Sequence, residues 1–209
     1  MNMAIDEALL EYATIPLVRF YRWQSPALSF GYFGRFTDVA SYQRERDLVR
    51  RWTGGGIVFH GEDLTYSLVI PANQAAFHES SMSIYEKIHR ALRDALSEAG
   101  QCAVVAAGTN RGDVTDVNGP GYNCFENPVR ADVMINGRKI AGAAQRRTRR
   151  GLLHQGSIQG IKLGNGVTDR FAQALSINCH ERKVDEKVLN RARELAEQKY
   201  GTENWLRKR

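Results

Sequence analysis

The chain has 209 residues, of which 43% are hydrophobic and 25% are charged; this ordinary globular composition excludes a disordered or collagen-like chain and can support a core without disulfides. No apolar run of about twenty residues occurs, and the N-terminus begins directly with a helix-like pattern, so we expect neither a membrane span nor a signal peptide. The net charge of +6 fits an acidic protein partner, a phosphate-bearing ligand, nucleic acid or a solvated basic face, and charge alone does not choose among them.

The first half of the chain is predicted to begin with a helix and to continue as strands. Asn2 can cap the helix, and Asp6 and Glu7 lie near its positive end. Apolar runs bounded by turn residues predict strands over residues 17–23, 27–32, 47–52 and 65–70. The clearest helix spans residues 82–99, where apolar residues recur every four positions and Gly100 ends the pattern.

The second half is predicted to contain a β-hairpin and a C-terminal helix. A buried strand over residues 103–106 precedes a loop over about 107–121 that is long enough to be functional or mobile. Asn136-Gly137 between two apolar runs is typical of a type I′ turn, so residues 131–135 and 138–145 are predicted to pair. A strand over 152–158 and a helix over 185–200 follow, and Trp205 is expected to pin that helix to the body.

Strands of this kind, mixed with helices and lacking regular βαβ alternation, predict an α/β or α+β fold. No linker or repeat divides the sequence, so we expect a single domain over residues 1–209.

Three widely spaced cysteines make neither a disulfide framework nor a C-x-x-C metal site. We therefore expect a reduced protein of the cytoplasm and no metal site. Cys102 and Cys179 are expected to be small buried residues, which is the usual state of a free cysteine. Cys124 differs because it lies in a polar, glycine-rich segment near basic residues, which favour the thiolate.

A glycine-rich segment, residues 50–60, is the first candidate for chemistry. Gly54, Gly55 and Gly56 cost folding entropy between strands, which indicates that something approaches the backbone closely. Exposed N–H groups there could cradle an oxyanion or a carbonyl, and the alternative is a wide turn. The segment lacks the lysine of a P-loop and the spacing of a dinucleotide fingerprint, so both are rejected.

Lys139 follows the Asn136-Gly137 turn among small and apolar residues. A lysine in such surroundings can hold its ammonium toward a carbonyl or a phosphate, or have its pKa lowered by desolvation. The alternative is an ordinary exposed hairpin lysine. His60 and His154 could each be donors or bases, although a lone histidine in a strand is more often structural.

Taken together, these segments resemble the lipoate–protein ligase A and octanoyltransferase family. The resemblance is carried by residues 1–10, 50–60, 136–145, 154–157 and 199–205 in this order, and it covers nearly the whole chain. Arg-Arg-x-x-Gly-Gly-Gly from Arg50 and Asn-Gly-Arg-Lys-Ile-Ala-Gly from Asn136 are its specific parts. It implies a biotin/lipoyl-ligase catalytic fold, similar to the class II tRNA-synthetase core, with a central, mainly antiparallel sheet flanked by helices.

The resemblance implies attachment of lipoate or octanoate to a lysine of an acidic carrier domain. One branch activates lipoate with ATP and Mg²⁺ as lipoyl-AMP; the other moves octanoyl from acyl carrier protein through a cysteine thioester without ATP. Leu64-Thr65-Tyr66-Ser67 and the position of Cys124 are closer to the cysteine-dependent branch, whereas Gly56 stands where those transferases often have arginine. The transferase is our main hypothesis and the ligase its alternative.

Under the transferase hypothesis, Cys124 is the acyl-accepting nucleophile and Lys139 orients the acyl carbonyl. Backbone N–H groups around Gly142 and Ala143 are candidates for stabilising the oxyanion. The substrate-binding residues expected from the matched motifs are Arg51, Gly54, Gly55, Gly56, Val58, His60, Tyr66, Gly142, Ala143 and His154. The expected partners are octanoyl–acyl carrier protein and an acidic lipoyl domain, of the H protein or an E2 subunit, with neither nucleic acid nor membrane.

Overall fold

A computed structural model describes residues 1–107, 125 and 128–208. Of the predicted loop over 107–121, only residue 107 is described, and Cys124 lies outside the described residues. The described strands form a six-stranded and a three-stranded sheet. The strands are β1 Leu17–Tyr21, β2 Ala27–Phe30, β3 Asp47–Arg50, β4 Val58–His60, β5 Leu64–Pro71, β6 Ala103–Val105, β7 Val133–Ile135, β8 Arg138–Arg147 and β9 Gly151–Ile158.

The larger sheet has the order β1-β5-β9-β8-β7-β6, and all its pairs are antiparallel. The smaller sheet has the order β3-β2-β4 and contains a parallel pair, β2 with β3. The helices are α1 Asn2–Tyr12, α2 Ser81–Glu98, α3 Val167–Leu175, α4 Glu186–Leu195 and α5 Glu203–Leu206. The mainly antiparallel α+β fold predicted from the sequence is confirmed.

Helices cover both faces of the larger sheet. The side chains of β5 and β9 point alternately to these two faces, and each face packs against a different pair of helices. Even-numbered residues of β5, such as Leu64 and Leu68, pack with α2 and α3 in one core. Odd-numbered residues, such as Val69 and its neighbour Leu153 on β9, pack with α1 and α4 in another. This alternation decides which side chains of the two central strands can reach a given face.

The hairpin and the long helices agree with their predictions. Asn136 and Gly137 both have positive φ, 49° and 76°, as a type I′ turn requires. Ser80 caps α2 by accepting a hydrogen bond from the Ser83 N–H. The predicted C-terminal helix becomes α4 followed by one π-helical turn, Ala196–Tyr200. Trp205 pins this region by donating to the Arg50 carbonyl over 3.0 Å.

Three local predictions are wrong. Asn2 is the first residue of α1 and not its cap; its side chain instead accepts a hydrogen bond from Arg19. Cys102 and Cys179 are exposed, because neither lies on the inward face of a strand or helix. The strand at 103–106 is the edge strand β6 and leaves Val104 57% exposed.

Candidate active site

A narrow cleft, open to solvent at its mouth, lies where residues of the two sheets meet. One wall comes from β8 and β9, and the facing wall comes from β2, β4 and the glycine-rich segment. The lining residues are Met3, Tyr21, Trp23, Ser29, Arg51, Gly55, Val58, His60, Thr65, Phe125, Gly142, Ala143, Ala144, Gln155, Gly156 and Ser157.

Lys139 is buried beside the first wall and forms an ion pair with Asp132, with 2.7 Å between Nζ and Oδ2. The alternative expectation, that Lys139 is an ordinary exposed residue of the hairpin, is therefore wrong. Gly142 makes room for this lysine, because a Cβ on Gly142 would lie 2.4 Å from the Lys139 Cε and 2.7 Å from Nζ. A buried ammonium thus lies directly against the cleft wall, with a buried carboxylate that stabilises its charge.

Tyr85 of α2 holds the same carboxylate in place. Its hydroxyl donates to the other oxygen of Asp132 over 2.6 Å and accepts the backbone N–H of Ala143 over 3.0 Å. The Ala143 N–H is therefore already bonded to a side chain, which does not fit its predicted use for an oxyanion. Burial, and next the charge of Asp132, raises the pKa of Tyr85, which keeps the hydroxyl protonated as a donor.

The carbonyl groups of the glycine-rich segment are arranged around Arg51. The Arg51 guanidinium donates to the carbonyl oxygens of Gly54 and Gly56 over 3.1 and 2.8 Å. The close approach predicted there is made by Gly31, since a Cβ on that residue would lie 2.1 Å from the Gly55 oxygen. Gly55 has φ of +85° and lines the cleft, so the segment shapes the facing wall through its backbone.

Ser29, His60 and Asp63 form a buried chain of hydrogen bonds on the facing wall. The His60 Nε2 lies 2.6 Å from the Ser29 Oγ, and Nδ1 lies 2.8 Å from the Asp63 carboxylate. Arg51 also donates to the Ser29 Oγ. Both ring nitrogens of His60 are therefore bonded to protein groups, and the imidazole contributes a stacked face, packed on Trp23, more than a free donor or base.

Burial lowers the pKa of His60, although the hydrogen bond and the charge of Asp63 act in the opposite direction. Burial opposes ionisation of Asp63, but its hydrogen bonds to His60, Ser157 and the Gly61 N–H prevail and lower its pKa to about 2. At neutral pH this wall therefore holds a neutral imidazole beside an ionised carboxylate.

Tyr66 and His154 do not line the cleft. They occupy even positions of β5 and β9 and point toward α2, where both are fully buried. The Tyr66 hydroxyl bonds to the His89 Nε2 over 2.8 Å. Burial lowers the pKa of His89 to about 4 and that of His154 well below its usual value, so both are neutral. These residues support the β8–β9 wall from behind.

Asp132, Tyr85 and Ser29 are among the residues of the site that the sequence analysis did not predict. Asp132 directly precedes β7, and Tyr85 and Ser29 come from α2 and β2, which are distant in the chain. The sequence does offer a signal for the β8–β9 wall. Side chains alternate between the two faces along each strand, so Gly142 and Ala144 lie on the same face as their partners Ser157 and Gln155. That same pattern excludes Tyr66 and His154 from this face.

No helix among the described residues is long and apolar enough to cross a membrane. Within the same residues, no group of three or more His, Cys, Asp or Glu side chains could hold a metal ion.

Residues 1–198 match the family model of the lipoyl protein ligase A/B catalytic domain. Among curated proteins, the chain is 34% identical over 167 residues to octanoyltransferase LipM of Bacillus cereus and 35% identical over 166 residues to that of Geobacillus kaustophilus. Each match covers 75% of this chain and 60% of the relative. The chain thus spans well under two thirds of the length of these relatives.

Solved structures of lipoate–protein ligases share the fold. Lipoate-protein ligase A bound with ATP superimposes with a TM-score of 0.77 at 24% identity, covering 98% of this chain and 92% of that one. A bi-partite lipoate protein ligase from Thermoplasma acidophilum, solved in a study with its E2 lipoyl domain, gives 0.73 at 21% identity, covering 98% and 89%.

Proposed function

Because this chain belongs to the family of lipoyl protein ligase A/B catalytic domains, we propose that it is an octanoyltransferase of protein lipoylation. It moves an octanoyl group, or a lipoyl group, from acyl carrier protein to the lysine of a lipoyl-carrier domain. The LipM relatives support octanoyl transfer. The single domain expected over residues 1–209 and action in the cytoplasm remain parts of this proposal.

The buried Lys139–Asp132 ion pair against Gly142 is the observation that carries the proposal. A fixed cation at the wall of a small, mostly apolar cleft can orient an acyl carbonyl and stabilise the negative charge that develops on its oxygen. Met3, Val58, Ala144 and the glycines of both walls supply surface for the hydrocarbon chain. Each buried methylene contributes about 0.8 kcal/mol, so an eight-carbon chain needs few polar contacts.

The proposed nucleophile is Cys124, which lies outside the described residues. Its neighbour in the chain, Phe125, lines the cleft, and the Lys139 Nζ lies 5.5 Å from the Phe125 ring centroid. A thiolate next to this wall would be favoured by the nearby ammonium. Cysteine is also the side chain that forms an acyl-enzyme most readily at neutral pH.

The reaction has two steps. In the first, the Cys124 sulfur attacks the thioester carbonyl carbon of the donor, the carbon–sulfur bond to the donor breaks, and the donor thiol leaves with a proton. In the second, the acceptor lysine nitrogen attacks the enzyme thioester and an amide bond forms. The Cys124 sulfur leaves and the proton lost by the amine returns to it. Neither step consumes ATP.

The test is the intact mass of the enzyme after incubation with octanoyl–acyl carrier protein without ATP. We expect one added octanoyl group that hydroxylamine removes, because hydroxylamine cleaves a thioester readily. Cys124→Ser and Cys124→Ala should abolish transfer, whereas Cys102→Ser, an exposed cysteine, serves as the matched control. A Cys124→Ala enzyme with full activity would disprove the mechanism.

The alternative is an ATP-dependent lipoate–protein ligase that forms lipoyl-AMP with Mg²⁺. It is favoured by the fold shared with lipoate-protein ligase A bound with ATP. In that case Lys139 would hold the phosphate of the adenylate. It predicts lipoate-dependent release of pyrophosphate that survives the loss of Cys124. An enzyme that stays unmodified by octanoyl–acyl carrier protein and yields lipoyl-AMP would establish this alternative.

A further inference from the structure

Two cations, Arg146 and Lys208, lie over aromatic rings beside the cleft. The Arg146 guanidinium is 4.8 Å from the Tyr32 ring centroid and 5.1 Å from that of Trp52. The Lys208 Nζ is 4.6 Å from the Tyr32 ring and donates to the Tyr32 hydroxyl over 2.6 Å. Such stacking fixes the position of a cation while its charge still acts outward.

Neither cation has an acidic partner in the part of the chain that the structure describes. Lys199 is the contrast within the same cluster, because it stacks on Trp52 and is neutralised by Glu7 over 2.5 Å. Among the described residues, one cation of the cluster is thus paired with a carboxylate and the other two are not.

An apolar side chain lies next to this charge. Phe33 is 81% exposed and its ring contacts that of Tyr32 edge-on, with 5.1 Å between centroids. A large exposed aromatic residue beside cations is typical of the centre of a protein interface, where aromatic residues and arginine are enriched. We call Tyr32, Phe33, Arg146 and Lys208 the cation–aromatic rim.

The rim is continuous with the cleft along two segments of chain. Arg146 is two residues after Ala144 on β8, so both face the same side of the sheet, and Ala144 lines the cleft. Tyr32 follows Gly31, whose backbone touches that of Gly55 in the cleft wall. A protein bound to the rim would therefore lie over the mouth of the cleft.

We infer that the cation–aromatic rim is the docking surface for the acceptor, an acidic lipoyl-carrier domain, an inference that rests on the proposed function. An acceptor lysine is a short side chain, so the domain that carries it must touch the protein around the mouth. The donor differs because its acyl group travels on a long flexible thiol arm and its carrier can bind farther away. Opposite charge at such a rim increases the rate of encounter.

The test measures the two half-reactions separately in variants of the full chain. Arg146→Glu and Lys208→Glu should each lower kcat/KM for the lipoyl domain by on the order of tenfold at low salt, and high salt should reduce the loss. Phe33→Ala should lower it by a factor of about five, independently of salt. Octanoyl loading of the enzyme should be unchanged. Lys162→Glu, an exposed lysine outside the rim, is the charge-matched control.

A milder variant, Arg146→Gln, guards against a charge reversal that disturbs folding, and it should show a smaller loss in the same direction. Wild-type transfer by all rim variants, with normal acyl loading, would overturn the inference. Loss of loading with unchanged acceptor kinetics would also overturn it, because the rim would then bind the donor. Failure of the proposed function is distinguishable from failure of this inference, because the wild-type enzyme itself would then accept no octanoyl group.

Discussion

The two walls of the cleft hold buried charge in different ways. On the β8 wall, Asp132 fixes an ammonium against the cleft surface, and the glycine at 142 removes the side chain that would separate them. On the facing wall, Asp63 is surrounded by donors from His60, Thr65, Ser157 and the backbone. Under the proposed function, this difference assigns the chemistry to the β8 wall and the maintenance of the cleft's shape to the facing wall.

The strongest test of this contrast exchanges each buried aspartate for asparagine. Asp132→Asn keeps the volume but removes the counter-charge of Lys139, so transfer by the folded enzyme should fall by about 10³-fold, comparable to the loss of an oxyanion-hole donor. Asp63→Asn should mainly lower the free energy of unfolding and leave transfer by the folded enzyme within a few-fold. Urea unfolding and steady-state kinetics measure both quantities. Equal losses of activity would remove the distinction between the walls.

A second test uses two glycines of the two walls. Gly142→Ala would place a Cβ within 2.4 Å of the Lys139 Cε, whereas a Cβ on Gly54 would meet nothing within 4 Å. Displacing Lys139 by about 1 Å should slow transfer by on the order of 10²-fold. Gly54→Ala is the matched control and should remain active.

The kinetic signature separates displacement of the lysine from obstruction of the cleft. A displaced lysine lowers kcat, whereas a blocked acyl slot raises KM for the donor. A Gly142→Ala enzyme with the kcat of the wild type would contradict the placement of Lys139 as the group that acts on the carbonyl.

Acid should affect the buried histidines and Asp63 at different pH. His89 lies behind the β8 wall and binds the Ala131 carbonyl, next to Asp132; burial lowers its pKa from 6.5 to about 4. As the pH falls, His89 is protonated in the unfolded state before it is protonated in the folded state. The contribution of His89 to the free energy of unfolding is therefore fully present above pH 6.5 and is lost as the pH falls from 6.5 to about 4. The loss amounts to about 3 kcal/mol.

The pKa of Asp63 is lowered from 3.8 to about 2, so the contribution of this carboxylate is present above pH 3.8 and is lost between pH 3.8 and 2. Urea unfolding at a series of pH values measures both phases. His89→Gln should reduce the slope between pH 6.5 and 4, while the remaining slope reports His154 and His60, whose pKa values burial also lowers. An unchanged slope in His89→Gln would contradict this assignment.

Much of the β8 wall could be predicted because its signals are local. Asn136-Gly137 specifies the hairpin by its backbone requirement, and the small residues after Lys139 indicate close packing. The facing wall could not be predicted in the same way. Ser29 meets Arg51 and His60 through contacts between residues 22 and 31 positions apart, and no periodicity in one segment reports such a contact.

The wrong predictions have a common physical cause. Cys102 was expected to be buried from the general tendency of cysteine, yet its position is set by the edge of the sheet. Tyr66 and His154 were expected at the cleft from their motifs, but the register of β5 and β9 directs both toward α2. A residue type gives a preference, whereas the face of a strand is decided by its pairing partners.

The smallest expected effect concerns Arg149 and Arg150, at the turn between β8 and β9. Both side chains are exposed, and Arg150 only approaches Glu11, with 3.7 Å between Nη1 and Oε1. If the turn adds to the field that attracts an acidic carrier, the reversal Arg149→Glu/Arg150→Glu should slow transfer about threefold at low salt. The effect should disappear near physiological ionic strength, where exposed charges are screened over about 8 Å. Stopped-flow rates at several salt concentrations measure it, and an unchanged rate at low salt would confine docking to surfaces nearer the cleft.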